Sequence, residues 1–244
     1  MLTDSAFHFA LDCDEVLVNI SNKWVDKCVN DPLIKEYILD TEANQLYKDD
    51  PVEFTKYLTS LTENALHRLD YYINDYLMLP PQSELFKRMM DVYYLDPTFY
   101  DDLPITPYTL SLYKIINKMS AIEKISIITH SGLDLNAPVN DSKRKFLIRL
   151  IKPIDKLVSI DTYLLPQNVP KSECINTNSI QYTTFVDDGL HNIEDVITKT
   201  DSKRKDFLIP LYGFNKDLSI CGVSGAKNIV STFGISDIYY FGNN

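Results

Sequence analysis

The feature of this 244-residue sequence that most restricts its fold is a series of short apolar runs separated by helical patterns. The runs have the length and the β-branched or aromatic content of buried strands, and they cover Phe7–Leu11, Ile125–Ile128, Leu157–Leu165, Thr183–Val186 and Phe207–Leu211. Helical patterns lie between the later runs, as over Ser142–Ile151 and Leu190–Thr200. Strands that alternate with helices are typical of a parallel sheet with right-handed crossovers, so the sequence predicts an α/β fold.

A block of helical pattern interrupts this alternation directly after the first run. Apolar residues recur at helical spacing from Phe54 to Leu77, which predicts one long amphipathic helix that ends before Pro80. Shorter helices are predicted over Asn22–Asn30, Pro32–Leu39 and Ser83–Leu95, and another one begins at Thr106–Pro107. We therefore predict a core of residues 1–20 and 118–244, with residues 21–117 inserted as a helical cap.

The charge balance excludes some classes of partner. The chain has 24 basic and 34 acidic residues, a formal charge of -10, so a polynucleotide or an acidic membrane surface is a poor partner. No uncharged apolar run approaches the roughly 18 residues of a membrane span. Four scattered cysteines without a Cys-x-x-Cys pair, and no secretory signal pattern, predict reduced thiols and a cytoplasmic location.

Polar groups follow three of the predicted strands. Asp12 and Asp14 follow the first, Thr129 follows the second, and Asp187 and Asp188 follow the fourth. Because ligands of open α/β sheets bind at the carboxyl ends of the strands, these groups are expected to converge on an oxygen-rich site suited to Mg²⁺. Each group also has an ordinary alternative. Asp12 and Asp14 are compatible with a strand end that faces water, and Thr129 with a plain strand-end residue. Asp187 and Asp188 are compatible with an acid pair that favours the start of the next helix.

The order of these motifs resembles the haloacid dehalogenase (HAD) superfamily of phosphatases, over the predicted core. LDCDEV matches the first motif of that family, IITHS the second, and FVDDG the fourth. The third motif is a lone lysine, for which Lys171 in a loop is the best match, while Lys143 and Lys156 lie in the same interval. The resemblance implies a HAD-like Rossmannoid parallel sheet with an inserted helical cap.

The resemblance also implies the roles of the acids. Asp12 would be the nucleophile and Asp14 the general acid and base of a phosphatase. Mg²⁺ would be held by Asp12, by the backbone carbonyl of Asp14 and by Asp187, with Asp188 supporting from the second shell or through water. One departure is Glu15, since many relatives have glycine after the second aspartate; this residue puts the local turn in question.

Phosphate binding is assigned in the same way. Thr129 would donate a hydrogen bond to a phosphate oxygen, and Lys171 would neutralise charge near the nucleophile. A lysine in a loop is also compatible with a solvated surface position. His130 is a further candidate for phosphate contact, although a histidine satisfied by the surrounding backbone is an equal alternative.

The inserted helices resemble the cap of the 5'(3')-deoxyribonucleotidase branch and, more narrowly, that of a phage-encoded deoxynucleoside 5'-monophosphatase in its host's cytoplasm. The substrate implied is a nucleoside monophosphate, and Trp24 is a candidate for stacking on the base. The alternatives are a HAD phosphatase for sugar phosphates or other small metabolites, and a non-catalytic HAD-fold binding protein. Base preference, ribose or deoxyribose, 5' or 3' phosphate and the oligomeric state stay open.

Overall fold

Six parallel strands form the sheet of this protein. The computed structural model describes residues 7–67, 72–116, 122–132, 134–152, 158–201, 206–210 and 229–232. The strands are β1 (Phe7–Leu11), β2 (Ile122–Ser131), β3 (Ser159–Pro166), β4 (Thr184–Val186), β5 (Asp206–Pro210) and β6 (Ile229–Thr232). They are ordered β3-β2-β1-β4-β5-β6 and pair in parallel throughout. The predicted α/β fold is confirmed, and β6 is a strand that the sequence analysis missed.

The order of the strands determines where a ligand can bind. β1 lies between β2 and β4, and Leu11 at its end pairs with Ile127 on one side and Val186 on the other. Leu11 and Val186 are fully buried, as expected of parallel strands covered on both faces. The direction of strand progression reverses between β1 and β4, and open α/β sheets bind their ligands at this kind of switch point.

Nine α-helices surround the sheet in the described ranges. Six lie between β1 and β2: α1 (Ser21–Asn30), α2 (Pro32–Asp40), α3 (Pro51–Asn64), α4 (Ile73–Tyr76), α5 (Glu84–Tyr94) and α6 (Pro107–Ile116). The others are α7 (Val139–Ile151) after β2, α8 (Lys171–Thr177) after β3 and α9 (Leu190–Lys199) after β4. Short 3-10 turns cover Glu42–Tyr47 and Ala65–His67. Across these ranges, no helix has the length and apolar character to cross a lipid bilayer.

The prediction of one long helix from Phe54 to Leu77 is wrong. α3 ends at Asn64, and α4 is a separate turn of helix that begins at Ile73. The break has a tertiary cause, because the side chain of Asn22 on α1 accepts a hydrogen bond from Leu66 N at 3.1 Å. That amide lies where α3 has already given way to the 3-10 turn. A contact from another helix has therefore overridden an uninterrupted apolar period.

Helices α1–α5 enclose a cluster of buried apolar side chains that is distinct from the clusters on the sheet. The cluster contains Val25, Ile34, Phe54, Leu58 and Met89, among others. The sheet is covered by two further clusters, one around Leu11 and Ile127 and the other around Phe185 and Ile193. Tyr108, Leu112 and Ile116 of α6 belong to the cluster around Leu11, and the division into a core and a helical cap stays a prediction.

The two segments that connect the sheet to the inserted helices are bonded to each other. Asn19 N donates to Pro104 O at 3.0 Å, and Thr106 N donates to Leu17 O at 3.1 Å. The hydroxyl of Thr106 donates to the carbonyl of Val16, and α6 begins at the next residue, as predicted. The exit and the return of the chain therefore form one joint beside the end of β1.

Candidate active site

The acids predicted to converge lie together at the carboxyl edge of the sheet. Asp12 directly follows β1 and donates its backbone N–H to Val186 O at 2.9 Å, and Asp187 directly follows β4 and donates to Leu208 O at 3.2 Å. Carboxylate oxygens of Asp12, Asp187 and Asp188 all lie within 4.8 Å of one another, and all three residues are buried. The two neighbouring strands thus carry their acids to one point.

Lys171 joins two of these acids. Its Nζ lies 2.9 Å from Asp12 Oδ2 and 2.6 Å from Asp187 Oδ2, and its side chain is fully buried. The prediction of a loop position is wrong, because Lys171 is the first residue of α8, directly after Pro170. Pro170, at the N-cap of α8, has an extended backbone conformation. Burial lowers the pKa of Lys171, but the carboxylates of Asp12 and Asp187 outweigh it and hold the pKa above its usual value.

Asp12 is kept in its charged form. Burial raises the pKa of Asp12, but the ammonium groups of Lys171 and Lys143 act more strongly and hold that pKa below its usual value. Its Oδ1 also accepts from Cys13 N at 2.7 Å. The Cys13 thiol is fully buried, and burial followed by the charge of Asp14 raises its pKa. At neutral pH the carboxylate of Asp12 is thus ionised, whereas the neighbouring thiol keeps its proton.

The acid pair after β4 does not act as an ordinary helix cap. The N-cap of α9 is Gly189, and Asp187 Oδ1 accepts from Gly189 N and from Asn192 Nδ2, each at 2.9 Å. The carboxylate of Asp188 has no hydrogen bond or ion pair to any described residue. Burial, with the negative charges of Asp187 and Asp12, raises the pKa of Asp188 well above its usual value.

The composition of this cluster fits a divalent cation. Three buried carboxylates lie together, and Lys171 contacts only Asp12 and Asp187 among them. Buried charges in proteins are paired or coordinate a metal, and oxygen ligands of this type suit Mg²⁺. The uncompensated carboxylate of Asp188 is the observation that shows the fit.

Thr129 and His130 lie beside the acids. Thr129 is 1% exposed, and its hydroxyl has no hydrogen-bond partner in the described part of the chain. The ring of His130 donates from Nε2 to Val169 O at 3.0 Å, which is the backbone contact foreseen as an alternative. Burial and the nearby ammonium of Lys171 lower the pKa of His130, so the ring is neutral at neutral pH. Both residues nevertheless line the cleft described below.

Asp14 has two partners that the sequence analysis did not identify. Lys143 Nζ lies 2.9 Å from Asp14 Oδ2, and the hydroxyl of Tyr100 donates to Asp14 Oδ1 at 2.7 Å. Lys143 shares the buried face of α7 with Phe146 and Leu150, so a lysine at an apolar helical position was the available signal. Tyr100 has no comparable local signal. Of the other two lysines considered for the third motif, Lys171 lies beside Asp12, and Lys156 lies outside the described residues.

A cleft of about 380 Å³ separates the acids from the inserted helices. Its lining includes Asp12, Asp14 and Thr129, the polar residues Asn74, Gln167, His191 and Asn192, and a wall of apolar and aromatic residues from α1 and α5. That wall includes Trp24, Phe86, Met89, Met90, Tyr93 and Tyr94. The indole of Trp24 stacks on Tyr93 with a centroid distance of 4.5 Å and donates its N–H to Met89 O at 2.8 Å. Trp24 is therefore held rigidly in the wall, and its contact with a base stays a prediction.

Gly132, three residues beyond Thr129, allows the wall to approach the sheet. A Cβ at this position would lie 2.4 Å from ring atoms of Tyr94, which no side chain tolerates without displacement of that ring. The absence of a side chain at Gly132 thus lets α5 contact the end of β2.

The turn after Asp14 forms although Glu15 occupies the position where glycine was expected. Its φ is 57°, a left-handed conformation that costs a residue other than glycine about 1 kcal/mol. Its carboxylate accepts from the backbone N–H of Ser21 at 2.7 Å and from the hydroxyl of the same residue. These bonds offset the cost and tie the turn after the nucleophile to the start of α1.

Comparisons with known proteins report similarity of architecture only. No protein-family model matches the chain, and no curated protein matches it in sequence. Solved structures that align with it include a dehalogenase (11% identity, 98% of each chain, TM-score 0.45) and a predicted phosphatase from Clostridium acetobutylicum (11%, 97% and 98%, 0.45). Another is a HAD-superfamily hydrolase of subfamily IA from Geobacter sulfurreducens (11%, 84% and 87%, 0.41). At these identities and TM-scores the case for function rests on the site.

Proposed function

We propose that this protein is a Mg²⁺-dependent phosphomonoesterase of the HAD type, which hydrolyses (deoxy)nucleoside 5'-monophosphates to nucleoside and phosphate. The observation that carries the proposal is the buried ion-pair cluster in which Lys171 bridges Asp12 and Asp187. In this cluster Asp12 is ionised and lies beside Asp187 and Asp188, a pair of acids suited to a metal. The hydroxyl of Thr129 in the same cleft has no partner among the described residues.

Asp12 and Asp14 divide the first step. An oxygen of the Asp12 carboxylate bonds to phosphorus while the bond from phosphorus to the ester oxygen breaks, which gives an aspartyl phosphate. Asp14, in its protonated form, gives its proton to the departing ribose oxygen. The nucleoside leaves as the neutral alcohol.

The second step uses the same two residues in reverse. The carboxylate of Asp14 takes a proton from a water molecule, whose oxygen bonds to phosphorus as the Asp12 ester bond breaks. Inorganic phosphate leaves, Asp12 is again a carboxylate and Asp14 is again protonated. One water is consumed for each ester hydrolysed.

The remaining residues bind charge. Mg²⁺ would be held by Asp12, the backbone carbonyl of Asp14 and Asp187, with Asp188 acting through a bound water. When bound, it neutralises the repulsion between carboxylate and phosphate and polarises the phosphoryl oxygens. Lys171 places a second positive charge beside the nucleophile, and the free hydroxyl of Thr129 donates to a phosphate oxygen.

The wall of the cleft supports a nucleoside as the leaving group. Trp24, Phe86 and Tyr93 line the cleft with aromatic surface, and such surface suits stacking on a flat base. The same cleft also contains Asn74, Gln167 and Asn192, which offer hydrogen bonds to the hydroxyl groups of a sugar phosphate, so the substrate panel decides between the two. The formal charge of -10 opposes a polynucleotide substrate.

A panel of monophosphates tests the choice of substrate. With Mg²⁺ present, we expect a higher kcat/KM for deoxynucleoside 5'-monophosphates than for 3'-nucleotides, sugar phosphates or phosphoglycolate. Equal or better turnover of a sugar phosphate would contradict the nucleotide assignment and favour the metabolite phosphatase. No hydrolysis of any monophosphate would favour a non-catalytic binding protein.

Replacement of the nucleophile tests the mechanism. Asp12→Asn is expected to lower kcat by at least about 10³-fold, because the amide cannot form the phosphoenzyme. Asp49→Asn is the matched control, since Asp49 is exposed and lies outside the cleft. Circular dichroism and thermal unfolding check that both variants are folded. Turnover by Asp12→Asn near that of the wild type would remove Asp12 from this role.

A further inference from the structure

The carboxylate of Asp14 is held at both of its oxygens, by groups from two distant parts of the chain. We propose that Tyr100 and Lys143 are positioning residues, which orient Asp14 for proton transfer to the leaving group. This inference rests on the proposed function, since it concerns the residue that serves there as general acid. Neither residue was part of the motifs in the sequence.

Lys143 holds one oxygen. Its side chain is 1% exposed, and its Nζ lies 2.9 Å from Asp14 Oδ2 and 2.7 Å from His130 O. The second acceptor belongs to β2, so the ammonium links Asp14 to the rigid sheet. The contact with this anchored ammonium holds Asp14 Oδ2 in one orientation.

Tyr100 holds the other oxygen. Its side chain is fully buried, its hydroxyl donates to Asp14 Oδ1 at 2.7 Å, and that hydroxyl lies 2.8 Å from the hydroxyl of Tyr93. Because the Tyr100 proton is directed to Asp14, Tyr93 is the donor in the second contact. The three groups form a chain of hydrogen bonds from Tyr93 through Tyr100 to Asp14.

The two positioning residues also support each other. The Nζ of Lys143 lies 5.4 Å from the centroid of the Tyr100 ring, within the range of a cation–π contact. The backbone N–H of Tyr100 donates to Ser142 Oγ at 3.3 Å, one residue before Lys143. The side chain of Asp14 is 21% exposed and lines the cleft, so it still reaches a substrate. A protonated carboxyl keeps acceptor sites on its oxygens, so both contacts are compatible with the acid form.

The chain of hydroxyl groups connects the acid to the wall that would contact the leaving group. Tyr93 lies on α5, where it stacks on Trp24, and Tyr100 lies in the segment that returns from α5 to α6. The orientation of Asp14 therefore depends on the position of the segment between α5 and α6, which contains Tyr100. Small displacements of a reacting group reduce rates greatly, so loss of either contact should slow proton transfer.

Tyr100→Phe tests this proposal because it removes the hydroxyl and keeps the ring. The rate of the first step is measured in single turnovers with excess enzyme and Mg²⁺, using two substrates. One is the alkyl monophosphate of the panel that the wild type cleaves best, whose leaving oxygen needs a proton. The other is p-nitrophenyl phosphate, whose leaving group departs as a stable anion.

The expected result is a difference between the substrates. Release of the alcohol should slow by about 10- to 100-fold, because general acid catalysis contributes about 10²-fold or more, whereas release of p-nitrophenolate should change by less than about twofold. KM should stay unchanged, since Tyr100 does not contact the substrate. Tyr93→Phe should show a smaller effect of the same kind.

Tyr113→Phe is the matched control, since it removes a tyrosine hydroxyl that donates to Leu150 O outside the cleft. It should alter neither rate. Equal slowing of both substrates by Tyr100→Phe, or no slowing of either, would overturn the proposal while the phosphatase activity of the wild type stands. A wild type inactive toward both substrates would overturn the proposed function and this inference with it. If Tyr100→Phe does not fold, Tyr93→Phe decides by the same comparison.

Discussion

At the scale of single residues, Thr129 is buried and its hydroxyl has no hydrogen-bond partner among the described residues. Leaving a buried polar group unpaired costs about 1 to 3 kcal/mol. The hydroxyl lines the cleft beside Asp12 and Asp14, where a phosphate oxygen would be its partner. A contact between Thr129 and phosphate is therefore a prediction that a single substitution can test.

Thr129→Val tests this interpretation. Valine has a similar shape and no hydroxyl, so we expect unchanged or slightly higher stability in urea unfolding, and about tenfold weaker inhibition by inorganic phosphate. The second expectation follows from a lost hydrogen bond to a charged group, about 1.5 kcal/mol or more. Thr129→Ser, which keeps the hydroxyl, is the control. An unchanged inhibition constant in the valine variant would show that Thr129 does not bind phosphate.

At the scale of the elements, α2 begins with a side-chain cap and is also tied to another helix. Asp31 accepts from Leu33 N and Ile34 N at the start of α2, directly before Pro32. The same carboxylate accepts from Arg88 Nε on α5 at 3.0 Å. The hydrogen bonds from Arg88 outweigh burial and, with the one from Ile34 N, hold the pKa of Asp31 below its usual value of 3.8.

Two substitutions separate the helix cap from the ion pair. Asp31→Ala should lose about 1 kcal/mol more stability at pH 7 than Asp31→Asn, because asparagine still caps the helix. A lowered pKa in the folded state gives stability that is present above pH 3.8 and is lost as the pH falls through the folded value. The difference in unfolding free energy between the wild type and Asp31→Asn, measured in urea, should therefore disappear once the pH is below the folded pKa of Asp31. A gap that persists there would exclude the ion pair with Arg88 as its source.

At the scale of the whole molecule, negative charge is concentrated at the joint between the sheet and the inserted helices. Asp12, Asp187, Asp188 and Glu15 are all buried there, in a chain whose formal charge is -10. Burial and like charges hold the pKa of Asp188 well above its usual value. A raised pKa of an acid in the folded state means that metal-free protein loses stability as the pH rises through that value.

Mg²⁺ should reverse this effect. We expect the unfolding temperature at pH 7.5 to rise by about 5 °C or more at 100 times Kd, since ligand binding of this strength contributes about 2.7 kcal/mol. The rise should shrink as the pH falls, because Asp188 must lose its proton before it can support the metal. Asp188→Asn should remove most of the rise and should be at least as stable as the wild type in EDTA. A wild type that gains nothing from Mg²⁺ by differential scanning fluorimetry would contradict the metal assignment.

The sequence by itself determined the class of the fold and the set of acids. Short apolar runs that end in polar residues have a local signature, and the geometry of a parallel sheet brings the ends of such runs to one edge. Asp12, Asp187, Asp188 and Thr129 therefore lie together where the pattern predicted. The helix starts at Pro32 and Pro107 were also predictable, because capping is a local interaction.

Only the tertiary structure decided which groups complete the site. Lys143 and Tyr100 are 129 and 86 positions away from Asp14; the apolar helical pattern around Lys143 indicates burial, but no local pattern indicates Asp14 as the partner of either residue. The choice of Lys171, the end of α3 beside Asn22 and the pairing of β6 have the same origin. Each depends on the packing of distant segments, whose free energy is absent from any short stretch of sequence.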